Sequence, residues 1–187
     1  MEKIRTFLSL NIKRSLIEKL KAVQDKVKEA LKDYPVKWEN PDKLHMTLRF
    51  LGDTSIDKIS DLVFTLDRLK VDFDSMQFKA NNVGFFPNPK YPNVVFIALD
   101  ENGDNSAKLV EFIDKIIFNF GVKPEKRFVP HITLGRFRKD KRLKIDKLVN
   151  ISVEPIEIEF DSFYLMQSTL TPQGSVYETI SEFKFQQ

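Results

Sequence analysis

The chain of 187 residues contains no cysteine, which excludes disulfide bonds and thiolate metal ligands. No uncharged apolar run approaches the ~20 residues that a membrane-spanning helix needs. Lys and Arg (30) exceed Asp and Glu (27) by only three, far less than in a protein that binds nucleic acid through bulk charge. We therefore expect a soluble cytoplasmic protein without membrane attachment, in which any anion site is local.

The apolar pattern predicts one domain over residues 1–187 that mixes helices and strands. Leu16, Leu20, Val23, Val27 and Leu31 recur at helical spacing, and further helices are predicted at 56–69 and 107–120. β-Branched and aromatic residues predict strands at 4–12, 44–51, 73–83, 94–99, 131–137, 153–160, 163–170 and 176–185. Strands linked mainly by hairpins, together with helices, indicate an α+β fold.

Only two histidines are present, and both begin the same tetrapeptide: His45-Met46-Thr47-Leu48 and His131-Ile132-Thr133-Leu134. With 8 Thr and 18 Leu in the chain, the chance of this coincidence is on the order of 10⁻⁵ for independent positions. Each motif follows a predicted strand, helix and loop. The repeat indicates two similar halves related by a pseudo-twofold axis.

The motifs suit acid–base chemistry on a phosphate. Side chains at i and i+2 of a strand share a face, so His45 lies beside Thr47 and His131 beside Thr133. Histidine titrates near neutrality, and a converging pair supplies one proton donor and one acceptor. Hydroxyls and imidazolium groups also donate hydrogen bonds to phosphate oxygens.

Other uses of these residues fit less well. A lone histidine beside threonine is commonly a half-buried, hydrogen-bonded strand residue, but the repeat argues against packing as the cause. Neither motif has HExxH spacing or a nearby third ligand, so no metal and no cofactor are expected. A threonine nucleophile would be duplicated without chemical reason. The Pro- and Phe-rich segment 84–93 is either rigid packing or a rim that faces a nucleotide.

The chain resembles the two-histidine phosphoesterase superfamily, specifically the RNA 2′,3′-cyclic phosphodiesterases, also called 2′-5′ RNA ligases. The resemblance covers nearly the whole chain. It rests on residues 4–10, 45–52, 84–92, 127–136 and 165–170, with Gly174 and Tyr177 after them. It implies a bilobal fold in which two antiparallel sheets flank a V-shaped cleft that both motifs line, with helices packed outside.

The resemblance also implies a reaction: hydrolysis of a ribose 2′,3′-cyclic phosphate to a 2′-phosphate without a metal. His45 would be the general acid toward the leaving 3′-oxygen and His131 the general base toward water, although the sequence itself does not distinguish the two parts. Thr47 and Thr133 would donate to the non-bridging oxygens. A 5′-hydroxyl in place of water would give 2′-5′ ligation.

Two arginines are candidate phosphate ligands. Arg136 matches the arginine that the family places on the phosphate, but strict alternation turns it away from His131, so this role requires a bulge or Gly135 to redirect it. Arg49 lies four residues after His45, and residues i and i+4 of a regular strand share a face, so Arg49 is a secondary candidate. A surface salt bridge is the alternative for either.

The expected partners are RNA with a 2′,3′-cyclic phosphate end, such as tRNA fragments, or cyclic nucleotides, and we expect a monomer. ADP-ribose 1″,2″-cyclic phosphate and 2′-5′-linked oligonucleotides are alternative substrates for the same site. A module that binds an RNA end or a nucleotide without catalysis is the alternative from another class. A purely structural protein leaves the repeated motif unexplained.

Overall fold

The computed structural model describes residues 2–68, 73–124, 127–138, 151–172 and 174–186. The strands are β1 (Lys3–Asn11), β2 (Val36–Trp38), β3 (His45–Ser55), β4 (Met76–Phe86), β5 (Val94–Glu101), β6 (His131–Phe137), β7 (Ser152–Phe160), β8 (Ser162–Thr171) and β9 (Gly174–Lys184). The helices are α1 (Ile17–Ala30), α2 (Ile59–Asp67) and α3 (Asn105–Asn119).

The described strands form two antiparallel lobes, which are joined by one backbone pair between β3 and β6. One lobe has the order β3-β1-β8-β9 and the other β6-β5-β4-β7, and Met46 on β3 pairs with Ile132 on β6. We call them the His45 lobe and the His131 lobe. The expected α+β fold is confirmed. In the residues that the structure describes, the two lobes form one nine-stranded sheet that is continuous through the pair of Met46 and Ile132, rather than two separate sheets.

The lobes are not the two halves of the chain. The His45 lobe takes β1 and β3 from the start of the sequence and is completed by β8 and β9 from its end. Strand β2, although it precedes β3, pairs with β6 of the His131 lobe. The chain therefore crosses between the lobes more than once, which holds the two histidine strands side by side.

The amphipathic helices bury their apolar faces against the face of the sheet that carries Met46 and Leu48. Leu20 and Val27 of α1 and Ile113 of α3 are almost completely buried in one cluster that joins both lobes. The opposite face of β3 and β6 is left for the histidines and threonines. None of the helices in the described ranges is long and apolar enough to cross a bilayer.

Most predicted elements are present, and several differ in extent. Strand β2 is not predicted by the sequence, because three residues are too few to show a periodic pattern. Strand β3 continues to Ser55 beyond the expected end at Leu51, and single 3-10 turns precede α1, α2 and β3. The segment 84–93 begins inside β4, and the last residue of the predicted helix at 56–69 lies outside the described residues.

Candidate active site

The pairing of Met46 with Ile132 brings the two motifs together. Because the strands are antiparallel, His45 comes opposite Thr133 and His131 opposite Thr47, on the face away from the core. Directly opposite side chains have Cβ atoms about 4.5–5.5 Å apart, and diagonal ones about 7–8 Å. The two imidazoles and the two hydroxyls therefore lie close together, related by a local twofold axis through the pair of Met46 and Ile132.

A cleft of about 580 Å³ opens over this face. Its lining includes His45, Thr47, Thr133 and Arg136, four of the six residues predicted from the sequence. His131 is not among the lining residues, and it lies on the same face of β6 two positions before Thr133. The other lining residues come from β1, β2, β3, the 3-10 turn before β3, and the β8–β9 hairpin: Arg5, Phe7, Lys37, Trp38, Glu39, Asn40, Lys43, Phe50, Ser168, Leu170, Gly174, Ser175 and Tyr177.

Both imidazoles are held in the same way by a carbonyl two residues earlier. His45 Nδ1 donates to the Lys43 oxygen and His131 Nδ1 to the Val129 oxygen, each at 2.7 Å. A carbonyl only accepts, so in the neutral ring the proton is on Nδ1 and Nε2 is free to accept. His45 Nε2 lies 3.1 Å from Thr47 Oγ1. The ring nitrogen available to accept or donate a further proton is therefore Nε2 in each histidine.

The carbonyl that orients His45 belongs to a short, stiff turn. The Asn40 side chain accepts a hydrogen bond from the Asp42 backbone (3.0 Å), and Pro41 begins the 3-10 turn that ends at Lys43. Proline has a fixed φ and no N–H, so it suits the first position of such a turn. The turn-prone sequence before β3 thus sets the direction of the Lys43 carbonyl.

Aromatic rings surround each imidazole. His45 contacts Phe7 (5.2 Å between centroids) and Tyr177 (5.4 Å). His131 contacts Phe86 (5.0 Å) and Phe96 (5.3 Å). Burial among these rings lowers the pKa of both histidines below the ordinary 6.5, since desolvation disfavours the charged form.

The segment 84–93 contributes to the His131 ring cluster by packing. Phe86 stacks on Phe96 at 4.1 Å, and both rings touch His131. A Cβ atom on Gly84 would overlap the Phe96 ring, so glycine at this position makes room for a ring that contacts the imidazole.

Each histidine strand carries a β-bulge at the leucine of its motif. Along β1, Leu8 faces Arg49 and Ser9 faces Thr47, so Leu48 is the extra residue. Along β5, Val95 faces Gly135 and Phe96 faces Thr133, so Leu134 is the extra residue. The first seven residues of β3 and all seven of β6 share one burial pattern, with two consecutive buried positions after the threonine.

The bulges decide the positions of the two candidate arginines. The extra residue shifts the alternation by one, so the fifth residue after each histidine faces the cleft and the fourth faces the core. Arg136 therefore lines the cleft, as its predicted role required.

The expectation that Arg49 shares the face of His45 is wrong. Arg49 is 4% exposed, pairs with Asp114 of α3 through Nε (2.6 Å) and the second terminal nitrogen (2.9 Å), and does not line the cleft. It also donates to the carbonyl of Leu48, the extra residue of its own bulge, at 3.0 Å.

A second polar side chain holds the bulge of β6. Gln24 of α1, fully buried, donates to the carbonyl of the extra residue Leu134 (3.0 Å) and to that of Glu39 (2.8 Å). The Glu39 N–H also donates to the Leu134 carbonyl (2.9 Å). Both bulge carbonyls are thus satisfied, which a buried polar group requires.

Sequence reasoning missed Glu39, the one acidic residue of the cleft lining that the structure describes. Its carboxylate lies 3.4 Å from Arg136 Nε, and its charge opposes the burial that lowers the pKa of His45. Lys37 and Lys43 were also missed, and Arg5, within the segment 4–10 that carries the resemblance, was not predicted as a site residue. None of these residues stands in a periodic pattern with the motifs, so no signal in the sequence pointed to them.

The described part of the chain offers no cluster of metal ligands. No group of three or more His, Cys, Asp or Glu side chains there could hold a metal ion. The chemistry available to the described residues of the cleft is proton transfer by imidazole, hydrogen bonding by hydroxyls and attraction of an anion by arginine and lysine.

Comparison with known proteins agrees with the repeat. The LigT-like phosphoesterase family matches residues 10–96 and again 97–177, so each match contains one histidine motif. A Thermotoga maritima relative named RNA 2′,3′-cyclic phosphodiesterase is 31% identical over 98% of this chain and 96% of its own length. A relative of the same name from Methanothermobacter thermautotrophicus is 30% identical over 97% and 99%.

Solved structures show the same fold. A Thermus thermophilus protein superposes with a TM-score of 0.79 at 24% identity, covering 97% of this chain and 98% of its own. Escherichia coli LigT superposes with a TM-score of 0.78 at 19% identity over the full length of both chains. The chain therefore belongs to the LigT-like phosphoesterase family.

Proposed function

We propose that this protein hydrolyses 2′,3′-cyclic phosphates, on RNA ends or on nucleotides, to 2′-phosphates without a metal ion. The observation that carries the proposal is the antiparallel pair of Met46 and Ile132, which places each histidine opposite the other motif's threonine. The relatives named RNA 2′,3′-cyclic phosphodiesterase support the substrate class.

In the proposed reaction a water oxygen attacks phosphorus in line with the 3′-oxygen. His131 Nε2 takes a proton from this water, and the protonated His45 Nε2 gives a proton to the 3′-oxygen as the P–O3′ bond breaks. The products are a 3′-hydroxyl and a 2′-phosphate, and both imidazoles return to their starting states by exchange with solvent. The two groups act from opposite sides of phosphorus, as the pseudo-twofold arrangement favours.

The charges near the two imidazoles support the assignment of His45 as general acid and His131 as general base. The Glu39 carboxylate raises the pKa of His45 against the burial that lowers it, whereas among the described residues no acidic side chain is a cause of the His131 shift. A nearby negative charge favours the protonated form. The Glu39 charge therefore favours the protonated form of His45, the group to which we assign the proton donor.

Thr47, Thr133 and Arg136 bind the phosphoryl oxygens in the proposed complex. The two hydroxyls donate to the non-bridging oxygens, where charge grows in the transition state, and the guanidinium balances that charge. Glu39 on one side of the Arg136 guanidinium orients the donors that remain. Fixed donors of this kind cost no reorganisation during the reaction.

Ligation by the same site would need a 5′-hydroxyl in place of water. Because water is present at ~55 M, hydrolysis dominates unless the cleft holds the second RNA end in the attacking position. We therefore propose the phosphodiesterase as the principal activity.

The test is product analysis with adenosine 2′,3′-cyclic phosphate in EDTA. We expect 2′-AMP, with a bell-shaped pH dependence of kcat/KM. Since burial holds the pKa of both free histidines below 6.5, the rate should already be falling above about pH 6.5 as the acid loses its proton.

Three results would contradict the proposal. Turnover that stops in EDTA and returns with a divalent cation would show metal-dependent chemistry. A 3′-phosphate product would reverse the assigned leaving group. Tight binding of the cyclic nucleotide without turnover would favour the non-catalytic binding module.

A further inference from the structure

The cleft contains more positive charge than one cyclic phosphate requires. Its described lining has four cations, Arg5, Lys37, Lys43 and Arg136, against the single carboxylate of Glu39. A 2′,3′-cyclic phosphate is a diester with one negative charge. Arg136 together with the histidine motifs already suffices for that charge, which leaves Arg5, Lys37 and Lys43 without a part in the proposed reaction.

Lys37 occupies a position that is costly without an anion. It lies directly opposite Arg136 in the pairing of β2 with β6, and like charges facing each other across two strands are destabilising. Glu39 offsets only one of the two charges, because its carboxylate lies by Arg136. Among the described residues Lys37 forms no ion pair of its own.

Lys37 also reaches across the cleft toward the β8–β9 hairpin. Its Nζ lies 3.7 Å from the place that a Cβ on Gly174 would take. Lys43 is tied to the same hairpin, since its Nζ donates to the Ser175 carbonyl at 2.8 Å. The two ammonium groups therefore stand along one wall, and Arg5, exposed on β1, lines the same cleft.

Apolar surface lies beside these cations. Leu170 on the hairpin is 66% exposed, and Trp38, next to Lys37, is partly exposed. A groove with separate positive charges and exposed apolar or aromatic side chains is the usual means of binding a single nucleic-acid strand, because phosphates meet the charges and bases cover the apolar surface.

We propose that Arg5, Lys37 and Lys43 bind the backbone phosphates of the nucleotides that precede the cyclic end. The preferred substrate is then a cyclic-ended oligoribonucleotide rather than a cyclic mononucleotide. This inference rests on the proposed function, whose catalytic groups it leaves unchanged.

The experiment compares kcat/KM for adenosine 2′,3′-cyclic phosphate and for a trinucleotide with the same cyclic end. We expect kcat/KM to be at least about fivefold higher for the trinucleotide, because one or two exposed ion pairs contribute a binding free energy of this size. Raising the KCl concentration should reduce its kcat/KM with a log–log slope steeper by about 0.7 for each phosphate contacted, relative to the mononucleotide.

Variants locate the effect. Lys37→Gln and, separately, Arg5→Gln should lower the ratio of trinucleotide to mononucleotide kcat/KM by about threefold to fivefold and flatten the salt slope. Lys26→Gln, exposed on α1 outside the cleft, is the matched control and should leave the ratio unchanged. Melting temperatures confirm that each variant is folded.

Two results would overturn the inference while leaving the phosphodiesterase intact. One is equal kcat/KM and equal salt slopes for the two substrates in the wild-type protein. The other is a loss in both variants that is the same for mononucleotide and trinucleotide. Failure of the wild-type protein to cleave either substrate would overturn the proposed function itself.

Discussion

The two histidine strands have the same backbone design and different side chains at one position. In both, the leucine after the threonine is an extra residue, and the fifth residue after the histidine turns to the cleft. In the His131 lobe that residue is Arg136, and in the His45 lobe it is Phe50, which is 46% exposed. The repeated backbone places the two imidazoles symmetrically. Because Arg136 and Phe50 differ, the site is polar at the His131 end and apolar at the His45 end.

The fourth position shows the same contrast on the core side. Arg49 fills it in the His45 lobe and pairs with Asp114, whereas Gly135 fills it in the His131 lobe. A Cβ atom on Gly135 would lie 2.7 Å from a Val36 methyl and 2.9 Å from the Trp38 ring. At this position the His45 lobe has a buried ion pair. In the His131 lobe the glycine leaves the space in which β2 packs.

Replacing either histidine should reduce activity to a similar extent, because the two lobes contribute equivalent imidazoles. His45→Ala and His131→Ala should each lower kcat/KM for adenosine 2′,3′-cyclic phosphate by about 10²- to 10⁴-fold, because each removes one of two proton transfers. Steady-state kinetics with a circular dichroism check of folding measures this. A variant that keeps its activity would break the comparison, since one lobe would then be dispensable.

Arg136 is the position where the lobes should differ most in catalysis. Arg136→Met should lower kcat/KM by about 10²-fold, in the range seen when one transition-state donor is removed. Phe50→Leu is the matched change in the other lobe and should reduce the rate far less. Equal losses in the two variants would contradict the assignment of the phosphate to the Arg136 end.

Arg49 should matter for stability rather than for the reaction. Arg49→Met leaves the Asp114 carboxylate without its buried partner, and breaking such a pair costs about 3 kcal/mol of unfolding free energy. Urea denaturation measures the loss, with Arg136→Met as the control that should change stability little. A wild-type unfolding free energy in Arg49→Met would contradict the buried pairing.

Gly135 should show a smaller effect of the same kind. Gly135→Ala pushes against Val36 and Trp38, and overpacking of this size costs about 1–3 kcal/mol. Gly103, which has open space around it, does not serve as a control because its φ of +120° is strained for alanine. Urea denaturation measures the loss, and a wild-type unfolding free energy in Gly135→Ala would contradict the close approach of β2 to β6.

The helices and most strands were predictable because their apolar spacing is a property of the sequence itself. The pairing of the two motifs was predictable from the repeat. The faces of Arg49 and Arg136 were not, because a bulge is created by pairing with a neighbouring strand and leaves no trace in a count of alternating residues. Counting four residues from His45 put Arg49 on the cleft face, and the extra residue Leu48 moved it into the core.

Glu39 and Lys37 illustrate a second limit. They lie on or beside a three-residue strand that pairs with β6 far along the chain, so their nearness to Arg136 is a product of tertiary structure. Local propensity carries no information about such a neighbour.

Proton NMR of the two imidazoles tests the central claim most directly, because the chain has no other histidine. We predict that both rings carry the neutral proton on Nδ1 and that both titrate below pH 6.5. In the proposed complex one phosphate lies near both rings, so adding 2′-AMP should raise both pKa values. A response in only one imidazole, or a neutral proton on Nε2 in either, would contradict a shared site.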